Sequence, residues 1–446
     1  GEDVFSNKDL RKLIIPLVIE QLLAVTIGMA DTVMVSSCGE AAVSGISLVD
    51  SINFLLITLF SSLATGGAVI ASQYIGRGDH KSASLAAKQL FYASLALSAV
   101  LGVIAVFFRK PVLNMVFGSI EADVMAHAQI YFLLSAISYP FLAVYNAGAA
   151  LFRSMGDSRT TMLISILMNT INIVGNAILI YGFQMAAAGA ATASLVSRAV
   201  GAIIITVLLL NPRRIIFYDK LHKPEIHLSM LKSILQIGVP NGLENSIFQI
   251  GKILVASIVS GFGTISITAN AVAGNLASLQ VIPGMALGMA MITVVGQCIG
   301  AKDYEAVKKY TKKLMLITYG VVWAMTLLML LFSKQILSFY SLSEETTTMT
   351  MEVFIVHGIC AVIVWPLAFA LPNALRAAND VRFTMIVSLL SMWIFRIGFS
   401  YILAIYFNMG ILGTWIAMCI DWFCRGACFV IRFARGKWKN ISFIDN

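Results

Sequence analysis

Asp31 stands in Gly28-Met29-Ala30-Asp31-Thr32, within an apolar run over residues 13–35. A carboxylate in such a run is costly while charged, because little water solvates it. Two chemistries relieve that cost. The group can take up and release a proton, or it can stay ionised by holding a cation. The competing reading is a structural carboxylate capped by hydroxyls near an interface. Glu20 lies eleven residues earlier, close to three helical turns, so it shares a face with Asp31. Glu244 follows Pro240 at the distance by which Glu20 follows Pro16, so a packing role common to both stretches competes with an ionic one. Asn169, Asn172 and Asn176 are spaced by three and four residues, which puts them on one helical stripe. Their amide oxygens could coordinate a hard cation, and their N–H groups could hold a carboxylate. Hydrogen bonding between helices explains the same stripe.

Further polar residues fall inside apolar runs. Lys252 has no evident partner on its own helix and is a candidate for a cavity wall. His357 and Trp365 could face a substrate cleft, although a lone histidine is more often satisfied structurally. Arg198 and Arg396 are two more intramembrane charges, whereas Asp421 and Arg425, four apart, read as a self-neutralising pair. Met285, Met289, Met291, Met325 and Met329 suit an adaptable apolar surface but are also ordinary filler. The cysteines, Cys38, Cys298, Cys360, Cys419, Cys424 and Cys428, show no metal-ligand spacing and read as small apolar side chains.

The elements that position these residues follow from composition. The 446 residues are 59% apolar and 12% charged. Soluble domains carry roughly 25% charged residues, so this chain lacks the polar groups to cover a water-facing surface, and lipid contact is the alternative. Segments long enough to span a bilayer are expected at 13–35, 45–74, 86–108, 122–150, 160–181, 186–210, 231–260, 266–298, 311–332, 346–372, 383–406 and 410–431. The polar start, Gly1 to Lys12, reads as a cytoplasmic end before the first permanent span rather than a cleavable signal. With that end inside, alternate loops hold nearly all Lys and Arg outside the spans. The opposite loops hold only Arg109, Lys110 and Lys334. The net charge of +9 thus reflects orientation rather than nucleic-acid binding, and both termini are expected to be cytoplasmic.

The chain also repeats itself. Moved by 224 residues, Pro16 falls on Pro240, Glu20 on Glu244 and Gly39 on Gly263. Gln73 to Asp79 falls on Gln297 to Asp303, Lys88 on Lys312, Met185 on Met409 and Gly189 on Gly413. Moved by 223, Arg153 and Asp157 fall on Arg376 and Asp380. The expected fold is an all-α integral membrane protein of twelve transmembrane helices. They form two six-helix lobes, 1–217 and 218–446, related by a pseudo-two-fold along the membrane normal, with Asn211 to Lys232 as linker. Two such lobes that rock about a cleft make a transporter. There is no phosphate-cradling glycine loop, no HExxH and no nucleophile elbow, so an enzyme is not expected and ion gradients are the energy source that remains.

The motifs Pro16 with Asp31-Thr32-Val33-Met34-Val35, Gln73 with Gly76-Arg77-Gly78-Asp79, Arg153 with Gly156-Asp157, and Gly189 to Ser194 are similar to those of the multidrug and toxic compound extrusion (MATE) family over nearly the whole chain. The resemblance implies antiport of organic cations against H+ or Na+ in the cell membrane, with a cation site in the amino-terminal lobe. By that resemblance the first-span acid is Asp31, the fifth-span asparagine Asn172, a second fifth-span polar residue Asn176, and a sixth-span hydroxyl Ser194. Na+, where it is the ion, would sit at Asp31, Asn172 and Asn176. Seventh- and tenth-span acids of some members read here as Phe248 and Trp365, which argues against a second coupling site. Asn176 in place of an acid weakens the case for sodium over proton. No cofactor is expected beyond the coupling ion. The partners are the bilayer and small, cationic, amphipathic molecules, and the working unit is a monomer. A lipid-linked precursor flippase of related architecture is the rival, for which Lys252, Arg198 and Arg396 would form a phosphate-binding cleft.

Overall fold

The computed structural model describes residues 4–444. Among them, twelve helices are long and apolar enough to cross a membrane. They are α1 (Asn7–Ser36), α2 (Glu40–Arg77), α3 (His80–Phe117), α4 (Ala122–Ser154), α5 (Arg159–Gly182), α6 (Ala187–Leu209), α7 (Leu228–Ser260), α8 (Thr264–Gly300), α9 (Tyr304–Leu331), α10 (Glu344–Ile363), α11 (Val381–Tyr406) and α12 (Ile411–Arg435). Each expected span corresponds to one of these helices. The ends differ most near prolines. The third span was expected to stop at 108, where Phe108 leaves helical geometry three residues before Pro111; the chain then resumes as helix to Phe117. The tenth was expected to run to 372. Instead α10 ends at Ile363, and the wider turns of Pro366–Ala370 lead into a short helix, Leu371–Ala377.

The repeat reaches the backbone. Gly39 and Gly263 precede α2 and α8 at φ +97° and +99°, a region closed to most side chains. Asp79 and Asp303 cap α3 and α9 by accepting N–H bonds from Ser82 and Ala306, at 3.1 and 3.0 Å. The last turns of α5 (Ala177–Gly182) and α11 (Tyr401–Tyr406) are both π-type. The offset drops to 223 before Arg153 and returns to 224 by Asn176. Arg159 pairs with Arg382 and Ser165 with Ser388 at an offset of 223, whereas Asn176 pairs with Ser400 at 224. A second π-type turn, Met392–Gly398, holds the extra residue. Such a turn is how a helix absorbs one inserted residue.

By packing, residues Ser6 to Gly242 form one unit, and the residues from Leu243 onward, with Phe5, form the other. The sequence-based division at 217/218 falls before α7, and the packing division falls inside it. The cause is close contact of α7 with α2: a Cβ added at Gly66 would lie 2.5 Å from the Ile234 carbonyl and 2.9 Å from the Gly238 nitrogen. The linker also belongs to the first unit. Gln89 donates to the Glu225 carbonyl at 2.6 Å and Tyr92 to that of Leu221 at 2.7 Å, and the Tyr218 ring is buried against Phe91.

Within the first unit, Phe60, Phe132, Tyr139 and Leu113 form a core between α2, α3 and α4. Within the second, Leu276, Met329 and Phe354 form one between α8, α9 and α10. Large apolar side chains such as Phe107, Met115, Phe183 and Tyr406 are exposed, as a lipid-facing surface requires. One cysteine reading is corrected. Cys360 of α10 and Cys419 of α12 form a disulfide, their Cα atoms 5.9 Å apart, and Cys428 is exposed rather than buried. Fifty-nine residues separate the pair, so only the folded packing reveals it.

Candidate functional site

Asp31 is half-buried on α1 and faces α5. Asn172 donates from Nδ2 to Asp31 Oδ1 at 3.2 Å, and Asn176 donates to the same oxygen. Ser194 of α6 donates to the Asn172 Oδ1 at 3.2 Å. Hydrogen bonds to a charged acceptor contribute about 1.5–3 kcal/mol each, so two amides partly replace the water that Asp31 lacks. The helices can approach because residue 175 is glycine: a Cβ there would lie 2.9 Å from that of Ala193. Asn176 is fully buried, and its Oδ1 has no hydrogen-bond donor. An amide oxygen left so costs about 1–3 kcal/mol. Beside a carboxylate, it offers a ligand position to a proton carrier or a hard cation. Asp31, Asn172, Asn176 and Ser194, named from the sequence, are thus brought together.

Asn169 lies three residues before Asn172 and lines a cavity of about 290 Å³ inside the same unit. The cavity runs between α1, α4, α5 and α6, from Glu20 and Ser165 to Asn172, Ser194 and Arg198. Glu20 is buried at its far end. It accepts from Ser165 at 2.9 Å and, more loosely, from Arg153 and Thr161, both at 3.4 Å. Glu244 is the counterpart and is held harder. Arg376 reaches it at 2.6 Å and Ser388 at 2.7 Å, while Arg376 also bonds Asn373. Both glutamates therefore join equivalent helices through equivalent arginines.

The first unit also carries acidic chemistry that sequence reading passed over. Asp50 of α2 accepts from the Tyr131 hydroxyl at 2.8 Å and lies within electrostatic range of Asp31 and Arg198. Beside it, Tyr139 donates to Asn53 at 2.5 Å, and Asn53 donates to Ser135 at 3.1 Å. Arg198 donates to Ser138 at 2.8 Å. The signal was present: an acid ten residues into an apolar helix.

The second unit has no acid at the matching place. Val255 stands where Asp31 does in the repeat, and Met418 where Ser194 does. Around Asn172 it carries Phe395 and Arg396 in the wider turn. Lys252, Arg396 and Arg425 surround the Phe248 ring at 5.7, 5.5 and 5.6 Å. Asp421 pairs with Arg425 at 3.3 Å, as expected from spacing. Cation–π contacts contribute roughly 0.5–2 kcal/mol each and do not neutralise charge. His357 is buried, bonds Gln280 at 2.8 Å and packs edge-on against Trp415 and Trp422. Trp365 is buried, stacks on Phe369 and fills the space beside Gly284. Both sit in packed interior. Among the described residues, no group of three His, Cys, Asp or Glu side chains gathers as a metal site.

Known proteins resemble this chain along nearly its whole length. A family model described as MatE matches residues 16–178 and again residues 240–402. The two stretches begin on Pro16 and Pro240, the offset seen in the repeat. YisQ, an uncharacterized transporter of Bacillus subtilis, is 26% identical over 429 residues, spanning 95% of this chain and 93% of its own. A probable multidrug resistance protein NorM of Thermotoga maritima is 26% identical over 442 residues, spanning 97% and 93%. A crystal structure of MATE in the bent conformation shares the fold with a TM-score of 0.88 at 20% identity, over 97% of this chain and 96% of that one.

Proposed function

The chain belongs to the MatE family and is a multi-pass membrane transporter, not an enzyme; from that premise we propose that it is a multidrug efflux antiporter that exports organic cations against H+ or Na+. The observation that carries the proposal is the Asp31 carboxylate, held inside a spanning unit by two amides, with the Asn176 oxygen beside it lacking a donor. The names of the relatives, probable multidrug resistance proteins, support the substrate class.

The coupling works through the bonds of Asp31. While the carboxylate is ionised and empty, it anchors Asn172 and Asn176 and so fixes α1 against α5. A proton on it removes an acceptor. A sodium ion instead recruits the Asn176 oxygen. Either change alters the packing of α1, α5 and α6, and an ion shifts the equilibrium only by its differential affinity for the two arrangements. A tenfold difference corresponds to about 1.4 kcal/mol. One carboxylate bonded by neutral amides suits one monovalent ion per cycle. The distribution of Lys and Arg supports cytoplasmic termini in a cell membrane.

Counterflow in proteoliposomes tests the reading. The full chain is reconstituted, a proton or a sodium gradient is imposed separately, and a fluorescent organic cation is followed. Movement against its own gradient under one of the two is expected. Indifference to both gradients would defeat the antiport claim. A vesicle that moves a lipid-linked phosphate but no cation would favour the flippase reading.

A further inference from the structure

The second unit lacks the carboxylate of the first and carries positive charge on the equivalent helices, α7, α11 and α12. Lys252 of α7, Arg396 of α11 and Arg425 of α12 lie around one ring, Phe248. Among the described residues, the ion pair formed by these three cations is that of Arg425 with Asp421, at 3.3 Å. Among the described residues neither Lys252 nor Arg396 has an ion-pair partner. The Arg396 Nε is buried and has no hydrogen-bond acceptor. The wider turn Met392–Gly398, one residue longer than its counterpart, is what presents this arginine. The neighbouring walls are aromatic: Phe248 meets Phe369 edge-on at 6.0 Å, and Phe369 meets Trp422 at 5.4 Å.

Two unbalanced charges at the depth of a spanning helix are not a packing device. The Asp421–Arg425 pair already ties α12 to α11, Ser391 donating to the Asp421 carbonyl at 3.1 Å and Arg425 to that of Ser388 at 3.4 Å, and apolar side chains would join α7 to α11 without a solvation cost. A guanidinium whose Nε–H lacks an acceptor selects an oxyanion, and aromatic faces select a flat apolar body. We propose that α7, α11 and α12 form a binding site for an amphipathic organic anion, its carboxylate or sulfonate taken by Lys252 and Arg396 and its ring packed against Phe248 and Phe369. The transporter then accepts anionic or zwitterionic aromatic molecules as well as cations. This site uses none of the residues of the Asp31 cluster and does not depend on ion coupling there.

The test uses the purified full chain in neutral detergent. Equilibrium dialysis compares naphthalene-2-sulfonate with its uncharged sulfonamide. The sulfonate should bind at least tenfold more tightly than the sulfonamide. K252Q and R396Q should each weaken the sulfonate at least fivefold and leave the sulfonamide unchanged. Lys252 is exposed, so K252Q keeps the fold even if R396Q does not, and its result alone decides. D31N should bind the sulfonate as the native chain does, which separates this site from the coupling reading. Equal binding of the two probes, or a sulfonate preference that survives K252Q, overturns the proposal. Displacement of the sulfonate by equimolar phosphatidylglycerol would assign the site to a lipid headgroup and overturn the organic-solute assignment; binding unaffected by that lipid supports it.

Discussion

The two halves of the chain share their helix order, caps and inter-helix ion pairs, yet the acid of the first half has no counterpart in the second, whose equivalent helices carry basic groups instead. The first half puts Asp31 against Asn172 and Asn176. The second puts Val255 at the Asp31 position and gathers Lys252, Arg396 and Arg425 near Phe248. What the halves hold in common is therefore scaffold, and what differs is chemistry. Glu20 with Arg153 and Glu244 with Arg376 belong to the first class, because the repeat keeps them both. The Asp31 cluster belongs to the second. Even the shared pair differs in tightness: 2.6 Å for Arg376 to Glu244, against 3.4 Å for Arg153 to Glu20, where the cavity begins.

That comparison can be broken first at the ion pairs. E244Q leaves Arg376 buried and uncompensated and should cost about 3–5 kcal/mol of stability. E20Q, beside a cavity and less tightly paired, should cost about 1–2 kcal/mol, since the glutamine oxygen still accepts from the Ser165 and Thr161 hydroxyls. Equilibrium unfolding of the two variants in mixed detergent measures both. Equal losses would mean that the cavity gives Glu20 no access to water. A second acid beside Asp31 sharpens the ionic contrast. N176D adds a carboxylate to the site and should make transport at least tenfold more responsive to a sodium gradient relative to a proton gradient, because two charges hold a metal cation better than one. Initial rates in proteoliposomes read that ratio, and an unchanged ratio would place the ion elsewhere. The smallest effect is expected at Ser194. S194A removes one hydrogen bond to Asn172 and should change the half-saturating ion concentration by a few-fold, equivalent to about 1 kcal/mol. M418S, at the matching place in the second half, should leave it unchanged.

Much of this was legible in the sequence, for physical reasons that differ by residue. The spans were legible because hydrocarbon forces a long apolar run for every crossing. Asp31 was legible because a lone acid in such a run has no ordinary explanation. The asparagine stripe was legible from helical spacing, but its pairing with Asp31 came from the family resemblance alone, since α1 and α5 are over a hundred residues apart. Ser194 came from resemblance alone; a hydroxyl in an apolar helix usually bonds its own backbone, as Thr192 does to Ala188. Asp50 stands only six residues into the expected span 45–74, where an acid reads as an interfacial end group, and its bond to Tyr131 shows only in the folded packing. The Cys360–Cys419 pair and the extra residue in Met392–Gly398 were hidden for a common reason: both depend on the register of one helix beside another.

The central claim is that ion coupling resides at Asp31 in the first half. The most direct test is the gradient dependence of substrate movement by the native chain and by D31N, reconstituted at equal density and compared with V255A from the second half. The native chain and V255A should each accelerate substrate movement at least tenfold when the coupling gradient is imposed, and D31N should show no acceleration. A D31N protein that still responds to the gradient as the native chain does would contradict the account.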